Sequence, residues 1–455
     1  MKVKEILNVT KGKMLCGSEE LEVENFSKDT RTIQKGDIYI GIKGEKFDGS
    51  DFWKQALDAG ATAVIISNIQ ISKEEKEEYK DKTIIQVEDT LEALYKIAKY
   101  KRSLYNIPVI AVTGSVGKTS TKDIIASVVS QKYKTLKTEG NNNNNIGLPM
   151  TILKLKDHDA LVVEMGMNHF GEISLLTNIA KPTLAVITNI GTSHIGNLGS
   201  RENILKAKLE ILEGMKIPRV IINNDNDLLH KWYEENKEKI EIHTYGINNS
   251  SDIIAEKIEL GEEKSKFVAK TSSEKVNIDV PVGGEHFVYN ALCGFMVGKI
   301  LGLSSKEIQE GISKVELTKK RMDIRVLKNG ATLINDSYNA SYESMKASLK
   351  YLSSRTDFRK IAVLGDMLEL GDFSKELHEK VGEEVANDNI DVLICRGEFA
   401  KNIISKANEN KKTQCILLQN NEEILSKLQE ILKEGDVVLI KASNGMKFYE
   451  ICQKL

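Results

Sequence analysis

The sequence predicts an α/β protein with three domains, and three observations predict it. The chain has 455 residues, which is more than a single hydrophobic core usually serves. Short apolar runs rich in valine and isoleucine alternate with helical patterns along most of the chain. The pattern of apolar and polar runs changes twice along the sequence, which predicts domains at residues 1–103, 104–318 and 319–455.

The first segment has the pattern of a small α/β domain. Its short β-branched runs indicate strands, and two longer stretches with helical periodicity indicate helices. The predicted strands cover residues 37–42, 63–67 and 83–87, and the predicted helices cover residues 52–59 and 91–101.

The second segment predicts a parallel sheet with helices on both faces. Its strand candidates are nearly continuous apolar runs, namely VIAVTG, ALVVEMG, TLAVITNIG and RVIINND. Such runs are typical of strands that are buried on both sides. A more polar stretch, residues 244–282, predicts antiparallel strands at the edge of this domain.

The third segment predicts a second doubly wound sheet of the Rossmann-like kind. The runs ATLINDS, KIAVLGD, DVLICRG, QCILLQ and DVVLIKAS alternate there with helical patterns.

Charge and composition exclude several classes of function. The formal net charge is −2, with 64 basic and 66 acidic residues and no basic stripe, so we expect no nucleic-acid binding. The first residues contain no apolar core of a signal peptide, and no run of some twenty apolar residues occurs, so we expect no membrane insertion. Five scattered cysteines without a CxxC pair favour reduced thiols. We therefore expect a cytoplasmic protein.

The stretch VIAVTGSVGKTSTKD predicts a phosphate-binding loop. A buried strand ends in a glycine loop, and Lys118 and Thr119 then open a helix. Glycines let backbone N–H groups turn toward phosphate, the lysine neutralises it, and the threonine hydroxyl can hold Mg²⁺. The spacing is TGxxGKT rather than GxxxxGKT, and a ligand-free glycine turn is the alternative. The sequence favours a nucleoside triphosphate, contacted by Gly114, Ser115, Val116, Gly117, Lys118, Thr119 and Ser120.

Two further residues that follow apolar strands are candidate metal ligands. Glu164 ends ALVVEMG, and His194 follows TLAVITNIGTS. Each alone has an ordinary interpretation, as a solvated strand end or a packed histidine. Together with Thr119 and a triphosphate, they supply the donors of a Mg²⁺–nucleotide site.

Two polar features near these strands have less specific patterns. Lys206 and Lys208 lie in a helical stretch, where most lysines are surface residues. The asparagine run 141–145 has the composition of a flexible loop, but its amides could also grip a polar substrate.

The motifs together resemble the Mur ligases. The resemblance rests on TGSVGKTSTK, EGNNNNNIGLPMTIL, EMGMNHFGEI, TNIGTSHIGNLGS, KAKLEI, NDSYNAS and GDMLELG, which occur in the family's order over essentially the whole chain. The motifs NDSYNAS and GDMLELG are similar to those of the branch that adds D-alanyl-D-alanine to UDP-N-acetylmuramoyl-tripeptide. The resemblance implies an ATP- and Mg²⁺-dependent amide ligase of peptidoglycan synthesis that acts through an acyl phosphate.

The resemblance also implies roles for residues around the nucleotide. Lys118 would contact the phosphates, and Thr119, Glu164 and His194 would hold Mg²⁺. Lys208, if carbamylated, would complete a second metal site. The remaining nucleotide contacts implied by the resemblance are His286 and Asn290 at the adenine, Arg321 at the phosphates and Asp336 at the ribose. An interdomain ion pair is the alternative for Arg321 and Asp336.

The resemblance assigns the other substrates to the outer domains. In the first domain, the uridine diphosphate would contact Ser27, Asp29, Thr30, Arg31, Asp48 and Gly49. The peptidyl-muramic acid would face Asn141, Asn143, Asn144 and His169. Asn339 and the loop 366–370 are candidates for the dipeptide end.

Several alternatives stay open at this point. The third residue of the acceptor peptide is diaminopimelate or lysine. Two other enzymes are alternative interpretations, namely a folylpolyglutamate synthase and the tripeptide-forming Mur ligase. The motif GDMLELG and the lack of a DNPR-like segment disfavour both. The alternative without enzymatic activity is a binding module whose conformation is switched by nucleotide. We expect a monomer whose domains close around the substrates.

Overall fold

The computed structural model describes residues 1–318 and 322–455, and over these residues the chain forms three β-sheets covered by helices. This confirms the predicted α/β class. The predicted nucleotide contact Arg321 lies outside the described residues.

The first sheet has the strand order β1-β5-β4-β3-β2 and is parallel except where β1 meets β5. Its longest helix, α4, is capped by Asp89, whose carboxylate accepts hydrogen bonds from the N–H groups of Leu91 and Glu92 at 2.7 and 2.9 Å. The elements are α1 Val3–Thr10, β1 Lys13–Cys16, β2 Phe26–Ser27, β3 Ile38–Ile40, α2 Trp53–Asp58, β4 Ala63–Ile66, α3 Lys73–Glu78, β5 Thr83–Gln86 and α4 Thr90–Ser103.

The second sheet has the order β14-β13-β12-β11-β10-β9-β6-β8-β7. Its elements are β6 Val109–Thr113, α5 Lys118–Val129, β7 Thr135–Lys137, α6 Gly147–Leu153, β8 Ala160–Glu164, α7 Glu172–Ala180, β9 Leu184–Ile187, α8 Ile195–Leu198, α9 Arg201–Leu209, β10 Arg219–Asn223, α10 Asp227–Asn236, β11 Glu241–Gly246, β12 Ile253–Leu260, β13 Ser265–Lys270, β14 Lys275–Val280, α11 Glu285–Ile300 and α12 Ser305–Ser313.

The centre of this sheet sets the position of the site. Strand β6 is buried along its whole length because helices cover both faces of the sheet. It pairs in parallel with β8 on one side and β9 on the other. The connection after β6 leads to β7 on one side, and the connection after β9 leads to β10 on the opposite side. In open α/β sheets, ligands bind at the carboxyl end of such a switch point.

The polar edge of the second sheet differs in one detail from the prediction for residues 244–282. Strands β12, β13 and β14 are antiparallel to one another, as predicted. Strand β11 instead pairs in parallel with both β10 and β12. Its last residues are buried, including Tyr245, so it belongs to the covered parallel part of the sheet.

The third sheet has the order β15-β16-β20-β17-β18-β19 and is parallel except at the β15–β16 hairpin. Its elements are β15 Asp323–Val326, β16 Thr332–Asn335, α13 Tyr342–Ser353, β17 Lys360–Gly365, α14 Ser374–Asn387, β18 Val392–Arg396, α15 Ala400–Ala407, β19 Gln414–Leu417, α16 Asn421–Ile431, β20 Val437–Lys441 and α17 Tyr449–Lys454.

Helix α11 is apolar on most faces because it packs between the second sheet and α5. Glycine permits the close approach to α5, since a Cβ at Gly294 would lie 2.6 Å from Cγ2 of Ile124. In the described part of the chain, no helix combines the length and apolar character needed to cross a membrane.

A buried charge cluster ties helix α5 to the end of the second segment. The backbone N–H and hydroxyl of Thr318 donate to Oδ2 of Asp123 at 2.9 and 2.8 Å. Burial alone would raise the pKa of Asp123, but Lys122 and Lys137 together lower it below its usual value. The helix that starts at the glycine loop is therefore joined to the point where the chain leaves for the third sheet.

Candidate nucleotide and substrate site

A cavity of about 430 Å³ lies at the carboxyl ends of the central strands of the second sheet, facing the third sheet. Its lining combines the glycine loop, the asparagine run and the loop after β16. The predicted site residues that line it are Ser115, Val116, Gly117, Lys118, Thr119, Ser120, Asn141, Asn143, Asn144, Glu164, His194, His286, Asn290, Asp336 and Asn339.

The glycine loop follows β6 and is braced by the residues after β9. Gly114 has φ +150°, and a Cβ there would lie 1.9 Å from Oγ1 of Thr188. Ser115 N–H donates to the carbonyl of Asn189, and Val116 N–H donates to its side-chain oxygen, both at 3.0 Å. These two N–H groups are therefore used within the protein. The N–H groups that helix geometry leaves for an anion are those that open α5.

Lys118 bends back over the loop that precedes it. Its ammonium group donates to the carbonyls of Gly114 at 2.7 Å and Ser115 at 3.3 Å. Thr119, next along α5, is buried and lines the same cavity. A positive charge, a helix N-terminus and a hydroxyl thus meet in one place, which suits a polyphosphate.

Glu164 presents one carboxylate oxygen that has no protein partner. Oε1 accepts a hydrogen bond from the side-chain amide of Asn143 at 2.8 Å. Oε2 is buried and has no hydrogen-bond partner. A buried carboxylate oxygen without a partner is costly unless a cation or donor joins it, so this atom fits a bound cation.

The donor set around Glu164 suits Mg²⁺ held with a nucleotide. Among the residues that the structure describes, no group of three His, Cys, Asp or Glu side chains could hold a metal alone. Mg²⁺ is commonly bound by one or two carboxylates together with waters and substrate phosphates. A single carboxylate beside Thr119 and the phosphate loop matches that pattern.

His194 lies at the start of α8 and is contacted by a residue from the loop after β17. Its Nδ1 is 2.7 Å from Oε2 of Glu369. The hydrogen bond to His194 is the main cause that lowers the pKa of Glu369. With Nδ1 engaged, Nε2 is the nitrogen left for a ligand.

Lys208 is fully buried in α9 close to Lys118, although it is not part of the cavity lining. Burial first, and then the positive charge of Lys118, hold its pKa well below the usual value. Both effects favour the neutral amine over the charged ammonium. Lys206, two residues earlier, is exposed.

The far end of the cavity is formed by the first turns of α11. Burial lowers the pKa of His286 to about 4, so the imidazole is neutral at pH 7. Asn290 accepts from the hydroxyl of Thr121 at 3.0 Å, while its side-chain nitrogen is buried without a partner. An unused donor beside a neutral aromatic ring suits a polar heterocycle.

Asp336 reaches the cavity from the loop after β16. It forms an ion pair with Lys441 and accepts a hydrogen bond from Ser348 at 2.7 Å. The same lysine donates to the carbonyl of Asn339 at 3.1 Å. This pair lies within the third sheet's domain. After the larger effect of burial, Asp336 raises the pKa of His286 and Lys441 lowers it.

The asparagine run is ordered by its own side chains. Asn144 accepts from the N–H of Gly147 at 2.8 Å, where α6 begins. Asn145 donates to the hydroxyl of Tyr95 in α4 at 3.1 Å, linking this loop to the first sheet. Asn143 is used by Glu164, and exposed Asn141 keeps its amide at the cavity.

The predicted contacts His169 and loop 366–370 lie outside the cavity lining. His169 is exposed and lies near Glu369, whose pKa its positive charge also lowers. Asp366 uses its carboxylate to accept from the N–H groups of Glu398 and Phe399 at 2.7 and 3.1 Å. Asp366 therefore shapes the loop 366–370.

The two predicted uridine-diphosphate segments of the first domain lie against each other at Tyr39. Its hydroxyl donates to the carbonyl of Gly49 at 2.8 Å, and burial with the charges of Asp29 and Asp48 raises its pKa to about 12. Asp29 also pairs with exposed Arg31 at 2.5 Å. Ser27 and Thr30 lie in the same turn: the hydroxyl of Ser27 donates to the Asp29 carbonyl at 3.0 Å.

Glu343 is a cavity residue that the sequence does not single out. It lies in the first turn of α13 and accepts from the N–H and hydroxyl of Thr192 at 2.7 and 3.1 Å. The neighbouring Gly191 N–H donates to Oγ of Ser115 at 2.9 Å. The third sheet's domain therefore contacts the loop that supports the phosphate site.

Three family models match consecutive parts of the chain. The Mur ligase family catalytic domain matches residues 22–102, the Mur ligase middle domain matches residues 112–298, and the Mur ligase glutamate ligase domain matches residues 320–444.

Curated proteins and solved structures agree with these matches over the full length. The UDP-N-acetylmuramoyl-tripeptide–D-alanyl-D-alanine ligase of Bacillus subtilis (strain 168) is 36% identical, over 100% of this chain and 98% of that protein. A crystal structure of MurF from Acinetobacter baumannii has a TM-score of 0.88 at 30% identity, covering 100% of this chain and 98% of that one. MurF ligase from Thermotoga maritima in complex with ADP has a TM-score of 0.82 at 29% identity, covering 96% and 98%.

Proposed function

The chain belongs to the Mur ligase family, and we infer that it joins D-alanyl-D-alanine to UDP-N-acetylmuramoyl-tripeptide at the expense of ATP, as a ligase of peptidoglycan synthesis. The observation that carries this function is the shared cavity. The glycine loop, the unpartnered Oε2 of Glu164 and residues of the third sheet's domain all line it.

We propose that the N–H groups opening α5 and the ammonium of Lys118 bind the phosphates of ATP. Lys118 would exchange its contacts with the Gly114 and Ser115 carbonyls for phosphate oxygens, which is a short movement of a flexible side chain. Thr119, Glu164 and His194 would hold Mg²⁺, which neutralises charge on the phosphates when it is bound. His286, Asn290 and Asp336 would contact the nucleoside, and Arg321 the phosphates.

In the reaction, a terminal carboxylate of the UDP-linked peptide attacks the γ-phosphorus and ADP leaves. The amine of the dipeptide then attacks the acyl phosphate, forms the amide and expels phosphate. Lys118 and the first turn of α5 stabilise negative charge during the first step, since phosphoryl transfer depends on positioning and charge neutralisation. Closure by the third domain keeps water from the acyl phosphate.

We assign the three substrates to three domains. Residues 1–103 would bind the uridine diphosphate through Ser27, Asp29, Thr30, Arg31, Asp48 and Gly49. Residues 104–318 would bind ATP and, through Asn141, Asn143, Asn144 and His169, the peptidyl-muramic acid. Residues 319–455 would bind the dipeptide near Asn339. The contact of Asn145 with Tyr95 supports a continuous path between the first two.

We propose that Lys208 carries a carbamate. A neutral amine adds to CO₂ and releases one proton, and the product is an anion that can bind a metal. The buried position beside Lys118 supports this step, because burial favours the neutral amine and the neighbouring cation stabilises the anion formed. We also propose that the protein acts in the cytoplasm as a monomer.

The function is tested by measuring phosphate release from ATP with UDP-N-acetylmuramoyl-tripeptide as acceptor. The third peptide residue is diaminopimelate in one series and lysine in the other, and D-alanyl-D-alanine or single amino acids are added in parallel. We expect release only with the dipeptide. Lys118→Ala should abolish release, while Lys206→Ala, which removes an exposed lysine, should retain it.

Two outcomes would assign a different function. Release with a single diamino acid would make the chain a tripeptide-forming ligase. ATP binding without phosphate release in every combination would favour a binding module that nucleotide switches.

A further inference from the structure

Glu369 and His194 contact each other from two different domains. Glu369 lies in the loop after β17, and His194 lies at the start of α8 in the central domain. We propose that Glu369 is a positioning residue that orients the imidazole of His194 for metal binding, so that the metal site is complete only when the third domain is closed.

The backbone around this pair shows that the two domains fit closely here. The N–H of Gly196 donates to the carbonyl of Glu369 at 3.1 Å. A Cβ at Gly196 would lie 2.6 Å from the nitrogen of Gly371 and 2.7 Å from the carbonyl oxygen of Glu369. Both neighbours are backbone atoms of the other domain. The absence of a side chain at residue 196 is thus required by the contact, since Gly196 has no positive φ.

The chemistry of the pair suits an indirect role in metal binding. A histidine that binds a metal through one ring nitrogen usually donates its other N–H to a carboxylate, which fixes the tautomer and the ring orientation. Nδ1 of His194 has this partner in Glu369, which leaves Nε2 for the metal. The inference rests on the proposed function, which assigns His194 as a ligand.

The carboxylate that orients His194 belongs to the third domain, and this has a thermodynamic consequence. Thr119 and Glu164 belong to the central domain and stay in place when the third domain moves. The orientation of His194 depends on a residue that arrives with that domain. Because coupling between two binding events is reciprocal, closure raises metal affinity and metal binding favours closure by the same factor.

A purely structural role of Glu369 would give a different experimental result. The side chain of Glu369 is 52% exposed, and exposed ion pairs contribute little to stability. Glu369→Gln and Glu369→Ala should therefore unfold at the same denaturant concentration as the parent protein. Their effect should appear in metal affinity.

The test measures Mn²⁺ affinity by electron paramagnetic resonance, on the full-length protein with a non-hydrolysable ATP analogue and UDP-N-acetylmuramoyl-tripeptide. We expect Glu369→Ala to weaken Mn²⁺ binding about tenfold or more, the size seen when a partner of a metal-bound histidine is removed. Glu376→Gln is the matched control, because this exposed glutamate pairs with Lys380 on α14, and it should bind Mn²⁺ like the parent.

Gly196→Ala provides an independent second variant. It leaves Glu369 and His194 intact but blocks their approach, so we expect the same loss of Mn²⁺ affinity and a larger radius of gyration by small-angle scattering. Parent-like Mn²⁺ affinity in Glu369→Ala and Glu369→Gln would overturn the proposal. Phosphate release by the unchanged protein tests the proposed function separately, so the two can fail independently.

Discussion

Asn143 donates its side-chain amide to Oε1 of Glu164 at 2.8 Å, while Oε2 of the same carboxylate is buried without a partner. One hydrogen bond therefore fixes the rotation of the carboxylate, and the other oxygen remains for a ligand. Asn143 lies in the loop after β7 and Glu164 ends β8, so both residues belong to the second sheet's part of the chain.

Replacing the carboxylate separates stability from activity. We expect Glu164→Gln to raise the free energy of unfolding of the ligand-free protein by about 1 kcal/mol, because it removes a buried carboxylate whose Oε2 has no hydrogen-bond partner. We expect the same change to lower the turnover number by roughly 100-fold or more, since charge stabilisation at the phosphates is lost. Denaturant unfolding and phosphate release measure the two effects.

Asn143→Ala is the control for Glu164→Gln. It keeps the charge but frees the carboxylate to rotate, so its loss of turnover should be smaller. A variant Glu164→Gln that unfolds more easily and retains full turnover would contradict the assignment of this oxygen to a cation.

The glycine loop predicts a steric effect at one position. In Gly114→Ala, the new Cβ would overlap Oγ1 of Thr188, and the backbone would stay at φ +150°. We expect a loss of about 3 kcal/mol in unfolding free energy and no detectable ATP binding. Gly171→Ala has φ +84° but no atom within 4 Å of the new Cβ, so it should cost only about 1 kcal/mol. Equal losses in the two variants would refute the overlap.

His286 predicts a pH dependence of stability. Its pKa is about 4 in the folded protein, because burial outweighs the opposing effect of Asp336, and ordinarily about 6.5 in an unfolded chain. As pH falls, the unfolded state therefore takes up a proton at His286 before the folded state does. The contribution of His286 to stability is complete above pH 6.5 and is lost between pH 6.5 and 4. We expect the parent to lose roughly 3 kcal/mol more than His286→Asn over this range in denaturant unfolding. Parallel pH profiles for the two proteins would disprove it.

Lys208 predicts a dependence on dissolved CO₂. We expect the protein prepared in CO₂-free buffer to lose activity and to recover it on addition of bicarbonate. ¹³C-labelled bicarbonate should give a carbamate resonance that is lost in Lys208→Ala and kept in Lys206→Ala. Full activity without CO₂ would exclude the modification.

The sequence predicted the elements whose signals are local. The apolar runs and the glycine spacing before Lys118 located β6, the loop and α5, because burial on both faces and loop geometry act on neighbouring residues. The sequence did not predict the short helices α1 and α3. Helix α3 carries the charged sequence KEEKEE and buries no residue.

The contacts between domains could not be read from the sequence. Glu343 looks like an ordinary surface glutamate, and the sequence placed Glu369 only in a loop assigned to the dipeptide end. Their contacts with Thr192 and His194 join residues more than 150 positions apart. Asn189 supports the loop through a strand end that is distant in sequence. Such roles depend on topology, which local periodicity does not carry.

The close fit of Gly114 against Thr188 has a consequence for drug resistance. Every missense change at a glycine codon introduces a Cβ, and at Gly114 any Cβ meets the same hydroxyl. An inhibitor that binds the backbone of this loop would therefore contact a position at which every substitution also disturbs the loop proposed to bind phosphate.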